Sequence, residues 1–157
     1  AIEVAAARLF LQYEATAHLS PAPRSAEELR LAYENHLLWV AVSSVEKTAG
    51  FAMARMLDGA AHLEELDVHP DHGRQGIGSS LVRAVCDQAR ALGIGRVTLT
   101  TFRDIPWNAP FYQRLGFRVL REKELPAALR QLVEKEERHG LPREMRVVMQ
   151  YDTGATD

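Results

Sequence analysis

One cysteine, Cys86, in 157 residues leaves no disulfide framework and no cysteine-based zinc site. No apolar run approaches the roughly 20 residues that a membrane-spanning helix needs. No signal-peptide pattern is present either, so a cytoplasmic location without membrane association is expected. Charge of one sign is also missing. Lys and Arg number 19 against 21 Asp and Glu, for a net charge of −2 and a pI near 6.3. That balance removes the basic field on which nucleic-acid binding depends. His18, His36, His72 and His139 show no ligand spacing with one another or with Cys86, and no metal is expected. There is no internal repeat and no low-complexity stretch. What remains is ordinary globular composition, 46% hydrophobic and 25% charged, at a length that buries roughly two-thirds of the unfolded surface without staples. One domain over residues 1–157 is expected. The chain opens on Ala1 directly in a helical pattern, which predicts that an N-terminal strand has been trimmed.

Periodicity orders the elements. Ile2, Ala5, Ala6, Leu9, Phe10 and Tyr13 form a helical stripe. Ser20–Ser25 (SPAPRS) reads as a loop, and Ser25 with Glu28 as a capping box that opens a helix to about His36. Strands follow at Leu38–Val45, Phe51–Leu57 and Ala61–Val68, with a polar turn at Glu46–Gly50 and a hairpin turn at Asp58-Gly59. A helix from Gly76 to Leu92 carries Ile77, Leu81, Val85, Ala89 and Leu92 on one face, and Gly93 stops it. Arg96–Phe102 is a strand, Ala109–Leu115 a short helix and Phe117–Leu120 another strand. A further helix runs from Pro126 to His139, and Arg143–Tyr151 is the last strand. This order predicts an α/β fold with a mixed, mostly antiparallel central sheet flanked by helices. The charged run Glu134–Arg138 (EKEER) reads as an exposed helix face with i,i+4 pairs.

Gly73, Gly76 and Gly78 lie where the third strand hands over to the long helix. Several backbone N–H groups at a helix start have no intrahelical partner, and the dipole there is positive. Glycines let a phosphate approach that backbone closely. The spacing G-x-x-G-x-G is not the dinucleotide fingerprint, and no G-K-[ST] follows, which disfavours a P-loop. A tight strand–helix connection without any ligand is the plainer alternative.

Leu63–Ser79 (LEELDVHPDHGRQGIGS) resembles the acetyl-CoA-binding segment of the GCN5-related N-acetyltransferase (GNAT) family, whose motif is Q/R-x-x-G-x-G/A. Here it reads Gly73-Arg74-Gln75-Gly76-Ile77-Gly78, with glycine in place of the first Gln or Arg and Arg74 displaced by one. Pro110-Phe111-Tyr112 followed by Leu115-Gly116-Phe117 is similar to the family's second motif, F-Y-x-x-x-G-F. The resemblance covers about Leu38 to Phe117. It implies acetyl-CoA as acyl donor, its pyrophosphate held at Arg74, Gln75, Gly76, Ile77, Gly78 and Ser79. It further implies that backbone between Leu66 and Val68, Asp67 included, pairs with pantetheine and donates to the oxyanion. Relatives place a CoA-contacting Asn seven positions before the Tyr, which here is Ile105. Asn108 reads first as a helix N-cap and second as a CoA contact.

Acetyl transfer to an amine needs a group to take the amine's proton and one to protonate the departing thiolate. Strand alternation places His62, Glu64, Leu66 and Val68 on one face and Leu63, Glu65, Asp67 and His69 on the other. Glu64 shares its face with apolar residues and sits where several family members carry an acidic residue, which makes it the candidate base. Burial there is expected to raise its pKa. His62 is the alternative base. Glu65 is expected to orient the amine, if a bulge turns both carboxylates inward. The plainer alternative puts both glutamates on a solvated sheet surface. By the resemblance Tyr112 is the general acid, against the reading of a core aromatic. Arg103 and Trp107 flank the loop before Ala109 and are candidates for lining the acceptor pocket.

The expected activity is therefore an acetyl-CoA-dependent N-acetyltransferase acting on a small-molecule primary amine by direct attack. Acetylation of a protein or peptide, and a non-catalytic CoA-binding sensor, are the alternatives. The resemblance also implies a homodimer through exposed strands.

Overall fold

A computed structural model describes residues 2–8, 23–44 and 47–155. Within them run α1 (Ile2–Ala7), α2 (Ala26–Glu34), β1 (Leu38–Val42), β2 (Thr48–Leu57), β3 (Ala60–Val68), α3 (Ile77–Ala91), β4 (Arg96–Phe102), α4 (Ala109–Arg114), β5 (Arg118–Val119), α5 (Ala127–Arg138) and β6 (Arg146–Asp152). Leu9, Phe10 and Tyr13 of the expected first stripe, the start of the SPAPRS loop, and Val45 and Glu46 lie outside the described residues. The strands form one mixed sheet in the order β1-β2-β3-β4-β6-β5. The β1–β2, β4–β6 and β5–β6 ladders are antiparallel and β3–β4 is parallel. The expected mixed, mostly antiparallel sheet flanked by helices is the observed one. The β3–β4 register runs Ala61↔Val97, His62↔Thr98 and Leu63↔Leu99, although β3 continues to Val68 and β4 to Phe102.

The chain folds as two compact units. One holds the residues up to Ala54 together with Glu65–Val85, the other Arg55–Glu64 with Cys86–Asp157. In the first, Ala32, Phe51 and Met53 form a core that Ile2, Leu29 and Leu38 extend. Ser25 accepts from Glu28 N–H while the Glu28 carboxylate accepts from Ser25 N–H, so the expected capping box opens α2. In the second, Leu129 and Val133, four apart on α5, bury against Leu120, Leu125 and Val148. Each such buried side chain contributes about 1.5–3 kcal/mol. Val97, Leu99 and Met149 of β4 and β6 are almost fully excluded from solvent.

Several boundaries differ from those the sequence predicts. β2 begins at Thr48, three residues before Phe51, because Gly50 is a strand residue and not part of a turn. A Cβ at Gly50 would stand 2.6 Å from the Asp67 carbonyl oxygen, so the close approach of backbones requires glycine. α3 ends at Ala91, which leaves Leu92 54% exposed beyond the buried face. Val82 and Cys86 complete that face instead. Burial pushes the Cys86 thiol up to about 12, consistent with an inert apolar filler. β6 starts at Arg146, after a 3₁₀ turn over Arg143–Met145 whose Met145 N–H bonds the Pro142 carbonyl.

Candidate functional site

The predicted site residues fall into two groups, each within one unit. The first group is the second half of β3 with the glycine-rich turn and the start of α3. The first α3 bond runs from Ser80 N–H to the Gly76 carbonyl at 2.9 Å. The N–H groups of Ile77, Gly78 and Ser79 therefore have no carbonyl partner within the helix. Gly76 has φ +78°, a value that favours glycine at this turn. Gln75, Ile77 and Ser80 line a cavity of about 310 Å³ together with Trp39, Val40 and Ala41 of β1.

The glycine and the arginine of the displaced motif are conformationally crossed. Gly73 has φ −62° and ψ 157°, which any residue can adopt. Arg74 has φ +59°, in the left-handed region. A non-glycine residue there costs about 1 kcal/mol. Strain is thus held at the one cationic residue of the Gly73–Gly78 turn.

Upstream, Glu65 and Asp67 share a face, as alternation predicts. Arg24 Nε donates to Glu65 Oε2 at 2.9 Å, and Arg24 N–H donates to Glu3 Oε1 at 2.7 Å. Burial pushes the Asp67 carboxyl up to about 7, reinforced by the charges of Glu65 and Glu3 and by a hydrogen bond with Glu65, against the opposing pull of Arg24. From the sequence, Asp67 is one of the strand's titratable residues, with Glu64 preferred to it as the base and only its backbone assigned to the site. The signal for its side chain was two carboxylates at i and i+2 on one strand face.

The second group lies in the other unit. Glu64 Oε1 accepts from Arg55 Nε at 2.9 Å, so its nearest partner is a guanidinium on β2 and not the expected apolar wall. His62 is 3% exposed, and its Nδ1 shares a 2.9 Å hydrogen bond with Thr98 Oγ1. Burial, with Arg55 and Arg146 nearby, lowers its pKa to about 4. The expectation that His62 keeps a pKa suited to a base therefore needs correction: at neutral pH it is an uncharged, weakly basic core residue.

Asn108 occupies the N-cap position of α4 but makes no capping hydrogen bond. Its Oδ1 accepts from Thr101 Oγ1 at 2.5 Å, and its Nδ2 is buried with no hydrogen-bond partner. An orphaned buried donor is costly, and in a native protein it marks a place for a water, an ion or a ligand. The capping role is thus replaced by a buried donor. One turn on, Tyr112 is buried with its ring edge-on to Phe111 (5.1 Å) and Phe117 (5.7 Å).

A further network was not legible as such. Glu136 accepts from Thr100 Oγ1 at 2.5 Å and pairs with Arg146 at 3.3 Å, their side chains being 12% (Arg146) and 17% (Glu136) exposed. Arg146 also donates to Thr100 Oγ1 and lies over the Phe102 ring. Desolvation lowers the Arg146 pKa, opposed by Glu136 and by Tyr112, so guanidinium and phenol are close enough to interact electrostatically. Glu136 thus belongs to a half-buried network, a correction to the reading of EKEER as a wholly exposed face. Among the described residues, no group of three or more His, Cys, Asp or Glu could hold a metal ion, and no helix is long and apolar enough to cross a membrane.

Residues 7–117 match the model of the acetyltransferase (GNAT) family. The chain is 33% identical over 104 residues to an uncharacterized N-acetyltransferase, YjcF, of Bacillus subtilis (strain 168), covering 66% of this chain and 69% of that one. Its fold is similar to that of an acetyltransferase of the GNAT family from Staphylococcus aureus Mu50, with a TM-score of 0.65, 17% identity, and 97% of this chain and 90% of that one covered. It is also similar to N-acetylglutamate synthase from Neisseria gonorrhoeae, solved with coenzyme A and N-acetyl-glutamate. There the TM-score is 0.64 at 19% identity, over 94% of this chain and 32% of that one.

Proposed function

We propose that this chain, which belongs to the GNAT family and is an acetyl-CoA-dependent N-acetyltransferase, transfers the acetyl group to a primary amine of a small molecule by direct attack. The amine nitrogen bonds to the thioester carbonyl carbon, the C–S bond breaks, and the amine's proton passes to a protein carboxylate. Tyr112 returns a proton to the thiolate. Backbone N–H groups at Ile77–Ser79, with Arg74 and Gln75 beside them, take the pyrophosphate of the donor. Backbone over Leu66–Val68, beyond the β3–β4 register, pairs with its pantetheine arm. The observation that carries this reading is the orphaned Asn108 Nδ2, a buried donor one turn before Tyr112 that fits an amide carbonyl of pantetheine.

For the base, the family offset favours Glu64, with Glu65 orienting the amine. A specific observation supports a second reading. Asp67 carries a pKa of about 7, matched to proton transfer near neutral pH, whereas Glu64 is held by Arg55.

The test is a thiol-release screen of small amines and peptides with acetyl-CoA, followed by pH–rate profiles of Glu64→Gln and Asp67→Asn. Turnover of small amines is expected, and the acidic limb of kcat/KM should vanish in the variant that lacks the base. Turnover confined to peptides would overturn the small-molecule reading. A limb that survives both substitutions would remove both carboxylates from the role.

A further inference from the structure

A cavity of about 470 Å³ lies within the second unit, between α5, the 3₁₀ turn Arg143–Met145, and the β5 and β6 strands. None of the residues assigned above to the donor lines it. Leu125, Val133 and Val148 give it an apolar floor taken from the core cluster under α5. Its rim is charged, and the pairing of those charges indicates what it can hold.

Three guanidiniums line the cavity: Arg103, Arg143 and Arg146. Arg146 is committed to Glu136, and Arg143 to Glu122. Arg103 has no carboxylate partner among the described residues, although its backbone is fixed by a bond from its N–H to the Met145 carbonyl at 2.8 Å. Glu137 and Glu144, also on the lining, have no cationic partner among the described residues. The cavity therefore offers one uncommitted cation, two uncommitted carboxylates and an apolar floor. A ligand bearing a single carboxylate and one amine on an apolar body suits all three, the carboxylates attracting the amine in the protonated form it has before it gives up its proton and attacks. A dicarboxylate meets repulsion from Glu137 and Glu144, and a bare alkylamine leaves Arg103 unused.

Arg146 connects this cavity to the chemistry, since it lines the wall and interacts electrostatically with Tyr112. Arg103 follows β4 directly and begins the loop that leads to Asn108 and α4. Building on the small-molecule reading above, we propose that this cavity is the acceptor subsite and that Arg103 anchors the acceptor's carboxylate. The enzyme's amines are then monocarboxylic amino acids with apolar side chains. Guanidinium suits that task because its planar donor fork matches a carboxylate.

The experiment uses the full chain, acetyl-CoA and matched acceptors that differ only in the carboxylate: leucine against 3-methylbutylamine, and phenylalanine against 2-phenylethylamine. Glutamate is added as the dicarboxylate. The carboxylate member of each pair is expected to have a kcat/KM higher by about tenfold or more, with glutamate well below leucine. Arg103→Ala should close the gap by raising KM for the amino acid, and Arg103→Lys should restore part of it. A retained rise in melting temperature with acetyl-CoA shows that each variant is folded. Equal rates within pairs for the natural sequence, or an Arg103→Ala loss shared by both members, would overturn the proposal while leaving small-molecule acetylation intact. Turnover of peptides alone would sink the parent reading and this one together, and the two failures are thus distinguishable.

Discussion

Residues 60–64 of β3 belong to one unit and residues 65–68 to the other, and desolvation shifts His62 in the first half and the half-buried Asp67 in the second. In the first half, desolvation and the charges of Arg55 and Arg146 drive His62 down to about 4. In the second, desolvation and the charges of Glu65 and Glu3 drive Asp67 up to about 7. Burial favours the neutral form in both cases. The neighbours then reinforce it, cations beside the base and anions beside the acid. The consequence differs. His62 is neutral at every pH above about 4 and serves the sheet by bonding Thr98. Asp67 titrates near neutral pH. Within one strand, position relative to the surrounding charges separates a group that stays neutral above about pH 4 from one that titrates near neutral pH.

Substitution at Tyr112, outside β3, should cost the most activity. Tyr112→Phe removes only the phenol oxygen from a ring packed between Phe111 and Phe117. kcat is expected to fall by roughly 10²–10⁴-fold, with acetyl-CoA affinity retained. Unchanged turnover in a steady-state assay would reassign Tyr112 to the core.

The pH dependence of stability reads the opposition of His62 and Asp67 directly. His62 has a folded pKa below its ordinary 6.5, so it favours folding above that value and withdraws this stability as pH falls from about 6.5 to about 4. Asp67 has a folded pKa above its ordinary 3.8, so it costs no stability below that value and an increasing amount as pH rises from about 4 to about 7. Each amounts to about 3 kcal/mol over the shared window, and the signs oppose. The natural chain is expected to show a nearly flat contribution from this pair between pH 4 and 6.5. Asp67→Asn should unmask a rise in stability with pH of about 3 kcal/mol across that window. Urea titrations at pH 4.5 and 6.5 measure it, and an unaltered pH dependence would refute the opposition of the two groups.

The fold was legible because the sequence repeats its signals at each element. Ser25 and Glu28 announce the cap, strand alternation announces β3, and the two glycine-containing motifs announce α3 and α4. Side-chain partners were less legible, since they depend on residues far apart in the chain. Arg55 reaches Glu64 from β2, Arg24 reaches Glu65 across 41 positions, and Arg146 draws Glu136 out of an apparently solvated run. Asn108 shows the same limit. Its place before Ala109-Pro110 matches a cap, but Thr101, seven residues earlier on β4, turns its oxygen away from the helix N-terminus.

Smaller changes are expected at the glycine-rich turn, where the Gly73-Arg74 order reverses what backbone conformation alone would select. Gly73 stands at an ordinary φ, yet a Cβ there would meet the Pro70 carbonyl oxygen at 3.1 Å, so the position resists a side chain for steric reasons. Arg74 stands at φ +59°, where glycine would be relaxed. If charge beside the unpaired N–H groups of Ile77–Ser79 maintains this arrangement, Arg74→Gly should separate stability from binding. Relief of the left-handed strain is worth about 1 kcal/mol, offset in part by the freer unfolded chain, so the melting temperature should rise by roughly 1–3 °C. Acetyl-CoA affinity should fall by about threefold to tenfold, and the remaining affinity should depend less on salt. Calorimetry at two ionic strengths reads both quantities. A higher melting temperature with undiminished affinity would mean that the backbone alone holds the pyrophosphate, because the uncharged N–H groups would then account for all of the binding at this turn.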